Sequence, residues 1–231
     1  MSEKLNIVPR VGERGLIVGQ TGSGKTLFAR WLIQDYLPAG IIYDTKIEPK
    51  FTSLPESQVV GSWDELTKLW KKGDHRHLIF RPPVRDTLDP EILDGYLERH
   101  YLNFRHSLAY VDEVYQFHNN GRAGPGLLSL LTRGRSRGIT TVMSTQRPTG
   151  LSRFAWSESQ RFYIFKLQDQ RDRKTVESIV PNFSDLPIPP KFHAHYYDFE
   201  LETPIMLAPV KISANLAADY TDEAETRHKW I

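Results

Sequence analysis

No cysteine occurs anywhere in the chain, which rules out disulfides and thiolate-bound metal and leaves an intracellular setting open. No apolar run approaches the ~20 residues that cross a bilayer, and the opening MSEKLNIVPRVGERG is too polar for a secretory signal. The expectation is a soluble, non-secreted protein without an integral membrane segment. Net charge is almost absent too. Thirty basic and 28 acidic side chains leave +2, so contact with nucleic acid must come from local clusters. Internal repeats and low-complexity tracts are also missing. What remains is ordinary globular material, 231 residues with 39% hydrophobic and 25% charged, long for one domain and short for two.

Short apolar runs alternate with amphipathic stretches, the pattern of strands alternating with helices in an α/β fold. Strands are expected at 15–19, 40–44, 59–61, 78–81, 108–112, 139–144, 161–167 and 193–199. Helices are expected at 24–36, 63–71, 90–103, 125–137 and 171–180. The prolines at 181, 187, 189 and 190 interrupt this pattern. The expected organisation is therefore a core over 1–180 and an extension over 181–231, with one further strand and a tail at 214–231 forming a peripheral helix.

Residues Gly19, Gln20, Thr21, Gly22, Ser23, Gly24, Lys25 and Thr26 complete the pattern G-x-x-x-x-G-K-[ST]. They follow an apolar strand and precede a helix carrying Leu27, Phe28, Trp31, Leu32 and Ile33, the context that a phosphate cradle requires. Glycines let successive backbone N–H groups turn toward phosphate oxygens, and the helix N-terminus adds its positive dipole end. Lys25 is expected to reach the β- and γ-phosphates of ATP, and the Thr26 hydroxyl to ligate Mg²⁺.

LAYVDE, 108–113, supplies the second half: a buried strand delivering two carboxylates at its end. Asp112 is expected to hold Mg²⁺ through water, and Glu113 to polarise an attacking water. Asp112 lies 87 residues beyond Lys25, which leaves room for intervening strands and helices. A third stretch, 131–150, crowds Arg133, Arg135 and Arg137 against the start of another apolar strand that ends in Gln146. Read as one helix through 137, it puts Arg133 and Arg137 on one face and Arg135 roughly opposite. An arginine beside the transferring phosphoryl group accelerates hydrolysis by a factor on the order of 10³–10⁵. Basic residues also complement a helix C-terminus. The Gln146 amide can sense the γ-phosphate or hold the lytic water, or simply cap the strand.

TRGRSRGITTVMSTQRP, 132–148, resembles the stretch shared by the FtsK/HerA superfamily of ring-forming, DNA-pumping ATPases. IIYDTKIE, 41–48, resembles that superfamily's strand ending in D-P-K with an acid shortly after, although Thr45 stands where proline is usual. With GQTGSGKT and LAYVDE the similarity spans about residues 14–170. It implies a RecA-like (ASCE) P-loop NTPase core, a mostly parallel central sheet flanked by helices, assembled as a homo-pentamer or homo-hexamer in which an arginine enters the neighbour's site. By position, Arg135 is the first candidate for that finger and Arg133 the second.

Segregation translocases carry membrane helices and a winged-helix domain, HerA-type helicases an N-terminal barrel, and tailed-virus terminases a nuclease. A bare core with a short extension most resembles the genome-packaging ATPases of tailless, internal-membrane double-stranded DNA viruses. The resemblance implies ATP hydrolysis that drives double-stranded DNA into a preformed capsid, in host cytoplasm or at a packaging vertex with a capsid or membrane partner. The alternatives are a Zot-like phage assembly or secretion factor and a cellular HerA-type translocase.

Candidates for sequence-independent contact with DNA phosphates are Arg122 in the loop 119–126, Lys71 with Lys72, Arg81 with Arg85, and the group Arg171, Arg173 and Lys174. The last interleaves with acids and reads as a solvated helix face. His75 with His77, and His193 with His195, lack a third ligand at metal spacing. Trp63, Trp70 and Trp156 read as core.

Overall fold

In the computed structural model, which describes residues 7–210, the strands are β1 (Arg14–Val18), β2 (Gly40–Tyr43), β3 (Ser57–Val60), β4 (His77–Phe80), β5 (Leu108–Val111), β6 (His118–Asn119), β7 (Arg122–Ala123), β8 (Thr140–Thr145), β9 (Arg161–Ile164), β10 (Ala194–Asp198) and β11 (Ile205–Leu207). The helices are α1 (Lys25–Asp35), α2 (Pro49–Thr52), α3 (Trp63–Lys72), α4 (Pro90–Asn103), α5 (Pro125–Arg133), α6 (Arg153–Ser157) and α7 (Gln170–Glu177). Nine strands form one sheet in the order β11-β10-β9-β1-β8-β5-β2-β4-β3. From β9 to β3 every pairing is parallel, and β10 and β11 add an antiparallel edge. The α/β class is the one that the strand–helix alternation predicts, and the mostly parallel sheet flanked by helices is the one that the resemblance implies.

Both faces of the sheet are covered, which explains why its strands read as continuous apolar runs. Leu16 and Val18 of β1 face one core, shared with Leu66 of α3, Leu93 and Leu97 of α4, and Leu127 and Leu130 of α5. Ile17 faces the other, shared with Phe28, Leu32 and Ile33 of α1 and Phe51 of α2. The two-residue alternation of a strand thus divides one run between two layers.

β8 lies between β1 and β5, paired in parallel with both. The strand that carries the cradle and the strand that carries the two acids are therefore separated by the strand that ends in Gln146. All three C-terminal ends lie along one edge of the sheet, where parallel α/β folds build their sites.

Several expectations change. The helix over 125–137 ends at Arg133, and Gly134–Arg137 forms a single 3₁₀ turn closed by Gly138 at φ 68°. The shared face predicted for Arg133 and Arg137 is lost with it. The loop 119–126 contains a small antiparallel hairpin, β6 with β7, turning through Asn120 and Gly121, both at positive φ. Asn-Gly is the dipeptide that such a turn favours. Two strands follow residue 180 rather than one, and β10 extends the main sheet by pairing with β9. β11 has only three residues, too few for a periodicity to register. The tail helix expected at 214–231 lies outside the described residues.

Candidate nucleotide-binding site

β1 ends at Val18, and the next six residues turn over the end of the sheet before α1 begins at Lys25. Gly19 has φ 155°, and a Cβ there would come 2.6 Å from the Phe165 Cβ. Gly24 has φ 112°, and a Cβ there would come 2.9 Å from the Phe192 ring. Only glycine serves at either position. The loop is pinned on both sides, Gly19 N–H donating to the Thr145 carbonyl at the end of β8 (3.2 Å) and Gln20 N–H to the Lys166 carbonyl just beyond β9 (3.0 Å). Gly24 offers no capping side chain, and the first turn of α1 holds no acid. The helix N-terminus is left to an anionic ligand.

The Lys25 ammonium donates to the Gln20 carbonyl at 3.1 Å. Burial pulls its pKa down to about 8, against the opposing pull of Glu113 and Asp112. A buried cation whose hydrogen bond, among the described residues, goes to a neutral carbonyl gains by meeting phosphate oxygens.

At the end of β5, Asp112 and Glu113 are buried, and Glu113 sits in the left-handed region at φ 49°, ψ 55°. That conformation is costly for a residue with a Cβ. Ser144 of β8 ties the pair together. Its hydroxyl donates to Asp112 Oδ1 at 2.5 Å and accepts the Glu113 N–H at 3.3 Å. Burial raises the Asp112 pKa to about 6; the Ser144 hydrogen bond opposes this, and the nearby Glu113 and Asp44 charges add to it.

Gln146 bridges the two halves. Its Nε2 donates to Glu113 Oε1 at 2.6 Å and its backbone N–H to Glu113 Oε2 at 3.1 Å, while its Oε1 accepts from the Thr21 hydroxyl. Sequence reasoning missed Lys46, whose ammonium reaches Glu113 Oε1 at 2.7 Å. Its signal was the D-T-K-I-E run, whose Asp44 accepts from Arg81 at 2.8 Å and from the Glu48 N–H at 2.9 Å. Ile47, between Lys46 and Glu48, stands exposed at φ 56°, an uncommon conformation for a β-branched residue. Ser144 was missed as well, because a serine inside an apolar strand carries no motif of its own.

Thr21, Gly22, Gly24, Lys25, Thr26, Asp112, Glu113 and Gln146 line one cavity of about 360 Å³ together with Lys46 and Phe192. Thr26 and Asp112 share this cavity, a hydroxyl and one carboxylate. That set suits Mg²⁺, which binds through one or two carboxylates plus substrate phosphates and water.

The arginine trio lies elsewhere. β1 and β8 run in parallel with Arg14 beside Thr141 and Val18 beside Thr145, so the cradle and the 3₁₀ turn occupy opposite edges of the sheet. β8 has six residues, which at about 3.3 Å each separates the edges by about 20 Å. No arginine side chain spans that within one chain. Arg137 is occupied, donating to the Leu102 carbonyl at 2.9 Å with its guanidinium 5.0 Å from the Tyr101 ring centre. Arg133 and Arg135 are exposed, and among the described residues neither forms an ion pair. Arg135 packs its stem on Gly12, and its charge presses on Arg14.

Two of the expected DNA contacts are corrected. Arg81 is committed to Asp44 and to the Glu48 carbonyl, and Arg173 is buried and donates to the carbonyls of Phe183, Ser184 and Leu186. The interleaved acids around Arg173 suggested a solvated face, but its stem and head fold under the loop after α7. Arg122, Lys71, Lys72, Arg85, Arg171 and Lys174 are exposed. His77 is buried with its pKa lowered to about 4 by burial, and His195 hydrogen-bonds the Pro187 carbonyl. No acid–histidine cluster among the described residues could hold a metal by itself.

No protein-family model matches the chain. The genome packaging NTPase B204 of Sulfolobus turreted icosahedral virus 2 in complex with ATP-gammaS superposes with a TM-score of 0.70 at 15% identity, over 88% of this chain and all of that one. The cytoplasmic domain of the type VII secretion ATPase EccC of Thermomonospora curvata gives 0.56 at 16% identity over 91% of this chain but 27% of its own. These likenesses establish the P-loop ATPase fold. In sequence, the DNA packaging ATPase P9 of enterobacteria phage PRD1 is 33% identical over 224 residues, 88% of this chain and 89% of P9. At that identity and coverage, the chain belongs to the family of viral DNA packaging ATPases that includes P9.

Proposed function

We propose that this packaging ATPase binds ATP in the Gly19–Thr26 cradle, hydrolyses it with Glu113 as the base that polarises water, and drives double-stranded DNA into a preformed capsid as a homo-pentameric or homo-hexameric ring. The observation that carries this reading is the convergence of Lys25, Thr26, Asp112, Glu113 and Gln146 on one cavity at the C-terminal edge of the sheet. Lys25 meets the β- and γ-phosphates, and Thr26 with Asp112 would hold Mg²⁺. Bound there, the ion would neutralise charge developing on the phosphate oxygens. Gln146 aligns water and γ-phosphate in this reading, which its side-chain bridge between Thr21 and Glu113 supports. Glu113 accepts from Lys46 and from the side chain and N–H of Gln146, which leaves an acceptor position on Oε2 for a water.

Arg133 and Arg135 serve the neighbouring subunit's site in this reading, because about 20 Å of sheet separates them from their own. DNA grip falls to exposed cations, Arg122 at the hairpin first, since that hairpin follows directly from the Asp112–Glu113 strand. The site of action is the packaging vertex, with a capsid or membrane component as partner. The test is hydrolysis measured with and without double-stranded DNA at low and moderate salt. Stimulation by DNA that fades with salt is expected, with loss of turnover in Lys25→Ala. A rate indifferent to DNA would sink the motor reading.

A further inference from the structure

The catalytic side chains account for one side of the cavity. Glu113 and Gln146 follow β5 and β8, which lie on the same side of β1 in the sheet. On the opposite side lie β9 and β10. β10 runs antiparallel to β9 with His195 beside Ile164, so the residues just before β10 return to the edge that holds the cradle. Phe192 stands there and lines the same cavity.

Its placement is tightly specified. The Phe192 N–H donates to the Ser23 carbonyl at 3.0 Å, fastening this segment to the cradle itself. Its ring packs on Gly24, which has no room for a Cβ because of that ring. The backbone is held at φ 67°, in the left-handed region that disfavours any residue with a Cβ. Strain of this kind persists where surrounding structure enforces it, and it concentrates at ligand clamps. The approach is anchored as well: Pro189 is buried, and the His193 N–H closes a turn on the Pro190 carbonyl. The Lys191 ammonium lies over the ring, 4.9 Å from its centre, on an exposed side chain that a stacking base would displace from that face.

A triphosphate whose γ end points toward Glu113 leaves the cradle on the Phe192 side with its α-phosphate, ribose and base. We propose that Phe192 is the nucleobase platform of this site, a flat apolar surface on which the base stacks. The assignment rests on the cradle reading above and goes beyond it in naming what recognises the rest of the nucleotide. Stacking uses the π-face that every base has, so the platform favours purines by their area without reading their edges.

The experiment compares equilibrium binding of ADP, CDP and inorganic tripolyphosphate to the full-length protein and to Phe192→Ala. The variant is expected to bind ADP about tenfold to a hundredfold more weakly, with tripolyphosphate affinity unchanged. The preference for ADP over CDP should shrink in the variant. Equal weakening of ADP and tripolyphosphate would overturn the proposal, because Phe192 would then be a prop for Gly24. No change in any ligand would overturn it too. Wild-type protein that binds none of the three would instead dispose of the cradle, and the platform with it. Phe192→Trp supplies an independent readout if the alanine variant folds poorly. Its added fluorescence should be quenched by ADP and left alone by tripolyphosphate, and the reverse pattern counts against stacking.

Discussion

Lys25 and Asp112 are opposite charges strained by the same burial, and their titrations make opposite predictions. The Lys25 pKa is lowered to about 8 by desolvation, and phosphate oxygens reverse that shift by favouring the charged form. ADP binding is therefore expected to weaken by about tenfold per pH unit above pH 8, with little change between pH 6.5 and 7.5. Titrating the dissociation constant across that range in Mg²⁺-free buffer checks it. Asp112 behaves differently because its folded pKa, about 6, is above its ordinary 3.8. The folded state holds that proton more tightly than the unfolded chain. Ionisation thus costs stability progressively between about pH 4 and pH 6, and the penalty persists at neutral pH. Asp112→Asn is expected to abolish hydrolysis while stabilising the protein without nucleotide by on the order of 1–3 kcal/mol, a rise of several degrees in Tm. Scanning calorimetry at pH 7.5 and again at pH 4 provides the check, since the gain should shrink at the lower pH.

Among the elements, the contact of α4 with α5 positions the hairpin and the arginine turn. Asp94 of α4 caps α5 from outside its own sequence, accepting the N–H of Gly126 at 2.7 Å and of Leu127 at 2.8 Å. A Cβ on Gly126 would stand 2.2 Å from the Asp94 carbonyl oxygen and 2.5 Å from the Glu98 nitrogen. Both are backbone atoms of a helix and cannot yield. Gly126→Ala is expected to destabilise the fold by about 3 kcal/mol or more, measured by urea denaturation, because the helices must separate. Nothing in the sequence announces this pairing, since a carboxylate capping a helix 32 residues away leaves no local pattern. Buried strands such as β1, β2 and β5 were legible because both faces are apolar. α2, α6 and β11, with four, five and three residues, are too short to show a period. The same division holds at the site. The cradle residues are contiguous and were readable as a motif. Lys46, Ser144 and Phe192 come from three separate segments, which only the sheet order brings together.

At the scale of the whole molecule, the polarity of the sheet decides what one subunit can do alone. The cradle, the acids and Gln146 occupy the edge where the parallel strands end, whereas Arg133 and Arg135 occupy the edge where β8 begins. If these arginines complete the hydrolytic site, as proposed above, they can do so only across a head-to-tail contact with a second copy, and such contacts make a ring when their rotation closes. Mixing experiments exploit this. A Lys25→Ala subunit lacks the cradle lysine but keeps its arginines; an Arg135→Ala subunit keeps its cradle but offers no finger. Each alone should be inactive by a factor on the order of 10³ or more. In a random equal mixture about one interface in four pairs an intact cradle with an intact arginine, so hydrolysis should recover to about a quarter of the wild-type rate if interfaces act independently. Repeating the mixture with Arg133→Ala identifies which arginine crosses. Recovery in neither mixture, with ring assembly verified by light scattering, would place the catalytic positive charge within the subunit and leave the basic turn without a role in hydrolysis.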